Sequence, residues 1–174
     1  RYNTTIKQIP VGLSAIATAL DRAGYRPDIL DIDLHRYSDE EVDDILRKSS
    51  HYDIVGFGNI VSGYKHTKRL AIQVKRAIPA ALVVVGNTVA TSIPKLLLER
   101  VPQIDIAVIG EGDNTIVDIV KVKSEDRGWK DINGIAYRKD GEVVFTKKRQ
   151  AISDISSISF PDYSLLEVEG YLKV

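Results

Sequence analysis

The chain has 174 residues, 44% of them hydrophobic and 28% charged, the balance of an ordinary globular domain able to bury a sizeable core. Its 24 basic residues offset 24 acidic ones, which leaves no electrostatic footprint for nucleic acid or an acidic membrane. The absence of cysteine excludes disulfides, thiolate metal sites and cysteine-held iron–sulfur clusters within this chain, and fits a reducing, cytoplasmic setting.

In chain order, the first element expected is a helix over 10–23, led by Pro10, with Val11, Ile16 and Leu20 at helical spacing and Gly24 closing it. Residues 28–32 form a short strand candidate. Ser38-Asp39-Glu40-Glu41 is a capping box that starts a second helix, with Val42, Ile45 and Leu46 as its buried face. A buried strand at 53–57 precedes a helix over 62–77, striped by Leu70, Val74 and Ala77. Residues 81–85, ALVVV, are β-branched and uncharged, as in a central parallel strand covered on both faces. A helix over 92–100, a strand at 105–109 and a helix over 114–122 capped by Asp113 complete the alternation.

Alternating helices and strands predict an α/β, flavodoxin-like (Rossmann-like) fold, a doubly wound parallel sheet with helices on both faces. A strand should precede the first helix, yet residues 1–9 are largely polar and offer only a poor one. Beyond residue 125 the character changes. Segments 134–138 and 142–145 flank Asp140-Gly141, a hairpin signal, and 146–174 read as a strap containing a Ser-rich stretch at 153–159 and Pro161. The expected division is therefore a domain over 1–125 and a hairpin with linker over 126–174. The chain begins at Arg1 and holds no methionine, which fits a piece of a longer protein. No apolar run approaches the ~18 residues of a membrane span.

Ligands of open parallel sheets bind beyond the carboxyl ends of the strands. Three successive post-strand loops here are rich in glycine and small polar residues: Gly58-Asn59-Ile60-Val61-Ser62-Gly63, Gly86-Asn87-Thr88-Val89-Ala90-Thr91-Ser92 and Gly110-Glu111-Gly112-Asp113. Tight turns alone account for any one of them; three on one rim mark a ligand site without naming the ligand. A P-loop is absent, and Gly56-x-Gly58 lacks the third glycine of a dinucleotide fingerprint. No pair among His35, His51 and His66 has metal-site spacing; His66 lies near the rim and the other two read as surface residues. Glu111 and Asp113 read as complements to a helix dipole rather than an acid/base pair. The Lys147-Lys148-Arg149 run reads as a solvated strand end.

Several segments, in this order, resemble the cobalamin-binding domain at the N-terminus of B12-dependent radical SAM enzymes. They are PVGLSAIATALDRAGY (10–25), DILDID (28–33), DIVGFGNIVSGY (53–64), VVVGNTVATSIPKLLL (84–98), DIAVIGEGDNTIVDIV (105–120), INGIAYRKDGEVVF (132–145) and SFPDYSLL (159–166). Within that group the chain is similar to the branch of anaerobic Mg-protoporphyrin monomethyl ester oxidative cyclases. The resemblance implies cobalamin over the rim. Gly58, Asn59, Ile60, Val61 and Ser62 would line the nucleotide-tail cavity, and Gly86, Asn87, Thr88 and Val89 the passage beside it. Gly110, Glu111 and Gly112 would form the third rim loop, with Pro10, Val11 and Gly12 at the first. Asn87 stands where the family has a second glycine, which narrows the slot. The cobalt-ligating Asp-x-His-x-x-Gly motif of many B12 domains is missing, so no protein imidazole is expected from that position. The family's [4Fe–4S] cluster and S-adenosylmethionine would belong to a further radical SAM domain, the expected partner. Two other readings are a degenerate B12-like domain that only docks, and a small-molecule or nucleotide sensor.

Overall fold

A computed structural model describes residues 7–154, 156 and 158–172. Helix α1 (Val11–Arg22) ends as its sequence predicts: Gly24 adopts φ +87°, and the Tyr25 N–H reaches back to Leu20 O at 3.0 Å. Residues 28–31 do not form the expected strand. They pair with no neighbour among the described residues, and the Asp31 carboxylate instead caps the short helix α2 (Ile32–His35) by accepting the Leu34 N–H. Of the segment searched for a first strand, residues 7–9 are not one and residues 1–6 lie outside the described residues. Helix α3 (Asp39–Lys48) carries the full capping box, with Ser38 Oγ accepting from Glu41 N and Glu41 accepting from Ser38 N.

Strand β1 (Ile54–Gly58), helix α4 (Tyr64–Ala77) and strand β2 (Leu82–Gly86) follow. Helix α5 (Asn87–Ser92) begins at once, and α6 (Pro94–Arg100) is separate from it. The break is local chemistry: Ile93 precedes a proline, which disfavours the helical region, and it sits at φ −134°. Where a loop over 86–92 and one helix over 92–100 were expected, there are two short helices. Strand β3 (Ile106–Val108) leads to α7 (Asp113–Ser124), whose N-cap is Gly112, so Asp113 is the first helical residue rather than the cap. Strands β4 (Ile135–Lys139) and β5 (Glu142–Phe145) then join the same sheet, and α8 (Val168–Leu172) ends the described chain.

The sheet has the order β1-β2-β3-β4-β5; β1, β2 and β3 run parallel, and β4 and β5 antiparallel to their neighbours. Lys139 pairs with Glu142 around Asp140 and Gly141, both at positive φ, the two-residue turn that matches strand twist. The boundary expected at residue 125 is not a break in the sheet, because β4 pairs directly with β3.

Strand periodicity assigns the two faces. Val83, Val85, Ala107 and Ala136 pack with Val42 and Leu46 of α3, Val74 of α4, Val89 of α5, and Leu97 and Leu98 of α6. Val84, Ile106, Val108, Ile135 and Tyr137 face Ile116, Ile119 and Val122 of α7, with Ile16 and Leu20 of α1 at the margin. Each large side chain fully removed from water contributes roughly 1.5–3 kcal/mol.

Helix α1 departs from its apolar stripe. Its buried residues are Ser14, Ala17 and Thr18, while Val11 is half exposed. Small residues let the strap approach: Ser14 Oγ donates to Asp162 O at 3.2 Å, and Thr18 Oγ1 accepts the Asp162 N–H at 2.7 Å. The strap is further tied by Arg22 to Ser159, by Tyr171 to Asp31 and by His35 to Glu167.

Candidate functional site

The carboxyl ends of β1, β2 and β3 bring the three glycine-bearing segments together. Gly58 and Gly86 are register partners. A Cβ on Gly58 would lie 3.0 Å from the Asn87 Cβ, so a side chain at 58 would press on Asn87. Asn59 O accepts the Val89 N–H at 3.0 Å, tying the segment after β1 to α5. The Asn59 side chain lies over Gly63, where a Cβ would fall 2.2 Å from Oδ1. Ile60 and Val61 therefore project from a fixed turn and are 56% and 44% exposed; Ser62 is exposed beside them.

Asn87 adopts φ +64°, a left-handed conformation that asparagine tolerates far better than most residues with a Cβ. Its Oδ1 accepts the Thr88 N–H at 2.6 Å. Asn87 and Thr88 are exposed on the ledge, whereas Val89 is fully buried and belongs to the core. The third segment is linked to the second, because the Gly110 N–H donates to Thr91 Oγ1 at 3.1 Å. Gly110 needs its glycine for φ +82°, and Gly112 lies under Ile16, whose Cδ1 is 2.8 Å from a hypothetical Cβ. Glu111 is exposed, and its Oε2 accepts the Ile152 N–H at 3.1 Å. At the start of α1, Pro10 is half-buried and Val11 and Gly12 are exposed.

Sequence reasoning passed over Gly63, Thr91 and Ile16, which hold the ledge together. For the first two, the only signal was membership of the small-residue loops; for Ile16, an apolar position on the helix stripe gave none.

The ledge is neutral except for Glu111 and Asp113. It offers glycine backbone, amide and hydroxyl groups, and exposed aliphatic side chains. No group of three or more potential metal ligands occurs among the described residues. The histidines are engaged elsewhere. His35 pairs with Glu167 and stacks on Tyr37, and His51 lies against Tyr52. His66 Nδ1 accepts from Arg69 Nη2 at 2.8 Å, which leaves the imidazole hydrogen on Nε2. Burial and the Arg69 charge hold its pKa below the ordinary 6.5, against an opposing pull from Asp39. The ledge can accordingly seat a large ligand with apolar faces and amide edges, beside the exposed Glu111 carboxylate. Surface grooves lie elsewhere, between α3 and α4 and between residues 27–34 and 164–167. The first is spanned by the Arg69–Asp39 and Arg76–Asp43 ion pairs, which occupy its polar groups.

The family described as B12 binding domain matches residues 5–120. An uncharacterized methyltransferase of Pyrococcus horikoshii is 29% identical over 162 residues, covering 93% of this chain and 35% of that protein. An anaerobic magnesium-protoporphyrin IX monomethyl ester cyclase of Rubrivivax gelatinosus is 30% identical over 171 residues, 95% of this chain and 30% of that protein. The chain thus spans about a third of the length of these curated relatives. The cobalamin-dependent S-adenosylmethionine radical enzyme OxsB, solved with aqua-cobalamin bound, superposes with a TM-score of 0.72 at 19% identity over 86% of this chain and 21% of its own. The radical S-adenosylmethionine methyltransferase TsrM of Kitasatospora setae, solved with cobalamin and a [4Fe-4S] cluster, gives 0.70 at 19% identity, over 81% and 28%.

Proposed function

The chain belongs to the B12-binding domain family, and we propose that it holds cobalamin on the ledge formed by the carboxyl ends of β1, β2 and β3. In this reading it is the cobalamin module of a B12-dependent radical SAM enzyme, cyclase- or methyltransferase-like, in the cytoplasm. The [4Fe-4S] cluster and S-adenosylmethionine sit in a separate domain of the parent protein, because a chain without cysteine cannot hold such a cluster. The carrying observation is the ledge itself: three glycine-rich segments cross-linked by Asn59–Val89 and Gly110–Thr91, under a family match that spans them all.

Bound cobalamin supplies carbon–cobalt or one-electron chemistry, which no side chain can provide. The chain's part is to bind and orient. Gly86 and Gly110, beside which nothing packs where a Cβ would stand, let the ligand approach the backbone, while Asn59, Ser62, Asn87 and Thr88 offer neutral hydrogen bonds to amide groups. Ile60 and Val61, with Pro10, Val11 and Gly12 at the α1 start, present apolar surface to a flat ring. Val89 supports this surface from within the core. In this reading cobalamin would be held without a protein imidazole from the usual motif, in whose place Ile9-Pro10-Val11-Gly12 stands.

The docking-only alternative requires a filled cleft. Val89, buried in the core, does not fill it, while Asn87 lies exposed on the ledge. The test is to incubate the full-length protein with hydroxocobalamin or methylcobalamin, desalt it and record the corrin spectrum. Retention near one equivalent is expected; no retained corrin overturns the proposal.

A further inference from the structure

Glu111 stands at the centre of the rim loop, yet its carboxylate is turned to a different task. We infer that Glu111 is a positioning residue that fastens the outgoing strap to the ledge, and not a contact of the rim ligand. This rests on the cobalamin reading for what the ledge holds, but not for the fastening.

Every residue of Gly110-Glu111-Gly112 is explained by what it touches within the chain. Gly110 is required by its positive φ, and Gly112 packs against Ile16 of α1. Glu111 O accepts from Thr115 Oγ1 in the first turn of α7, and Glu111 Oε2 accepts the Ile152 N–H. The route of the strap explains why an acceptor is needed there. Strand β4 starts beside Val108, at the rim end of β3, so β5 runs back toward the rim and releases the chain next to it. Gly134 N donates to Lys147 O at 2.8 Å, and Arg149 reaches both Asn133 O and the Asp118 carboxylate on α7. Arg149 is therefore engaged rather than solvated, unlike the strand-end reading of its sequence. Glu111 takes the next N–H, three residues on. Farther along, Asp162 is gripped by Ser14 and Thr18 of α1. The strap is thus held by the rim loop at Ile152 and by α1 at Asp162.

The test uses the full-length protein with Glu111→Ala and Glu111→Gln, the second of which keeps an acceptor oxygen. Amide exchange of the 150–154 segment is read by mass spectrometry, and hydroxocobalamin retention is read after desalting. The expected result is about tenfold faster exchange at Ile152 in E111A, as for loss of a hydrogen bond to a charged group. Near wild-type exchange is expected in E111Q, with cobalamin retention equal in all three within about twofold. A loss of cobalamin retention beyond about twofold in E111A overturns the exclusion of Glu111 from the ligand's contacts. Unchanged exchange in E111A overturns the inference, and so does an E111Q that exchanges like wild type but loses cobalamin. Failure of the wild-type protein to retain cobalamin would defeat the proposed function alone, since the exchange comparison still decides the fastening.

Discussion

Asn87 carries two demands in one residue. Its backbone lies at φ +64°, which costs a residue with a Cβ roughly 1–2 kcal/mol unless a short polar side chain compensates. Asparagine does so through Oδ1 and the Thr88 N–H. Asn87 thus holds a backbone conformation that glycine would also adopt, and it adds a polar group on the ledge. Asn87→Gly should leave stability within about 0.5 kcal/mol, whereas Asn87→Val should cost about 2 kcal/mol in urea unfolding, because a β-branched residue tolerates positive φ poorly. If the added amide contacts the ligand, N87G should also lower cobalamin retention while remaining as stable as wild type. The sequence signalled a missing glycine; it could not signal that the backbone had stayed left-handed, since that depends on the β2–α5 junction.

At the level of elements, the core was legible because it follows periodicity. The unbroken, uncharged β-branched run at 81–85 correctly marked a central strand, and the capping box correctly marked the start of α3. Two elements were misjudged for the same physical reason, that their partners are remote in sequence. Residues 28–31 have strand composition, but a strand exists only if a neighbour completes its ladder. Helix α1 was read by its apolar stripe, while its most buried positions are the small polar ones that grip a strap some 145 residues away. That grip is testable. Thr18→Val is nearly isosteric and removes the acceptor of the Asp162 N–H, leaving a partly buried donor unpaired at a cost of about 1–3 kcal/mol. Exchange at the Asp162 amide should rise by one to two orders of magnitude in T18V, while exchange in β2 is unchanged. Thr18→Ser, which keeps the hydroxyl, should stay close to wild type.

For the molecule as a whole, the sheet and its strap form one connected body, and this sets how a rim ligand acts on stability. Strand β4 pairs with β3, the strap returns to α1, and α1 meets the rim loop at Gly112. A body connected in this way should unfold as a single cooperative unit. A ligand that binds only the folded state then stabilises all of it by RT ln(1 + [L]/Kd), about 2.7 kcal/mol at a free concentration one hundred times Kd. The chain has a natural reporter in Trp129, its single tryptophan, which packs against the α7 side of the sheet and not on the ledge. Hydroxocobalamin in that excess should raise the urea midpoint followed by Trp129 fluorescence, and should raise the midpoint followed by far-ultraviolet circular dichroism equally. Zero net charge removes any general attraction between the chain and a charged ligand, so the shift should persist at 0.5 M salt. A midpoint that moves by one probe and not the other would mean that the strap and hairpin open independently of the ledge. A shift that vanishes in salt would assign the effect to stray charge contacts and not to the rim's neutral groups.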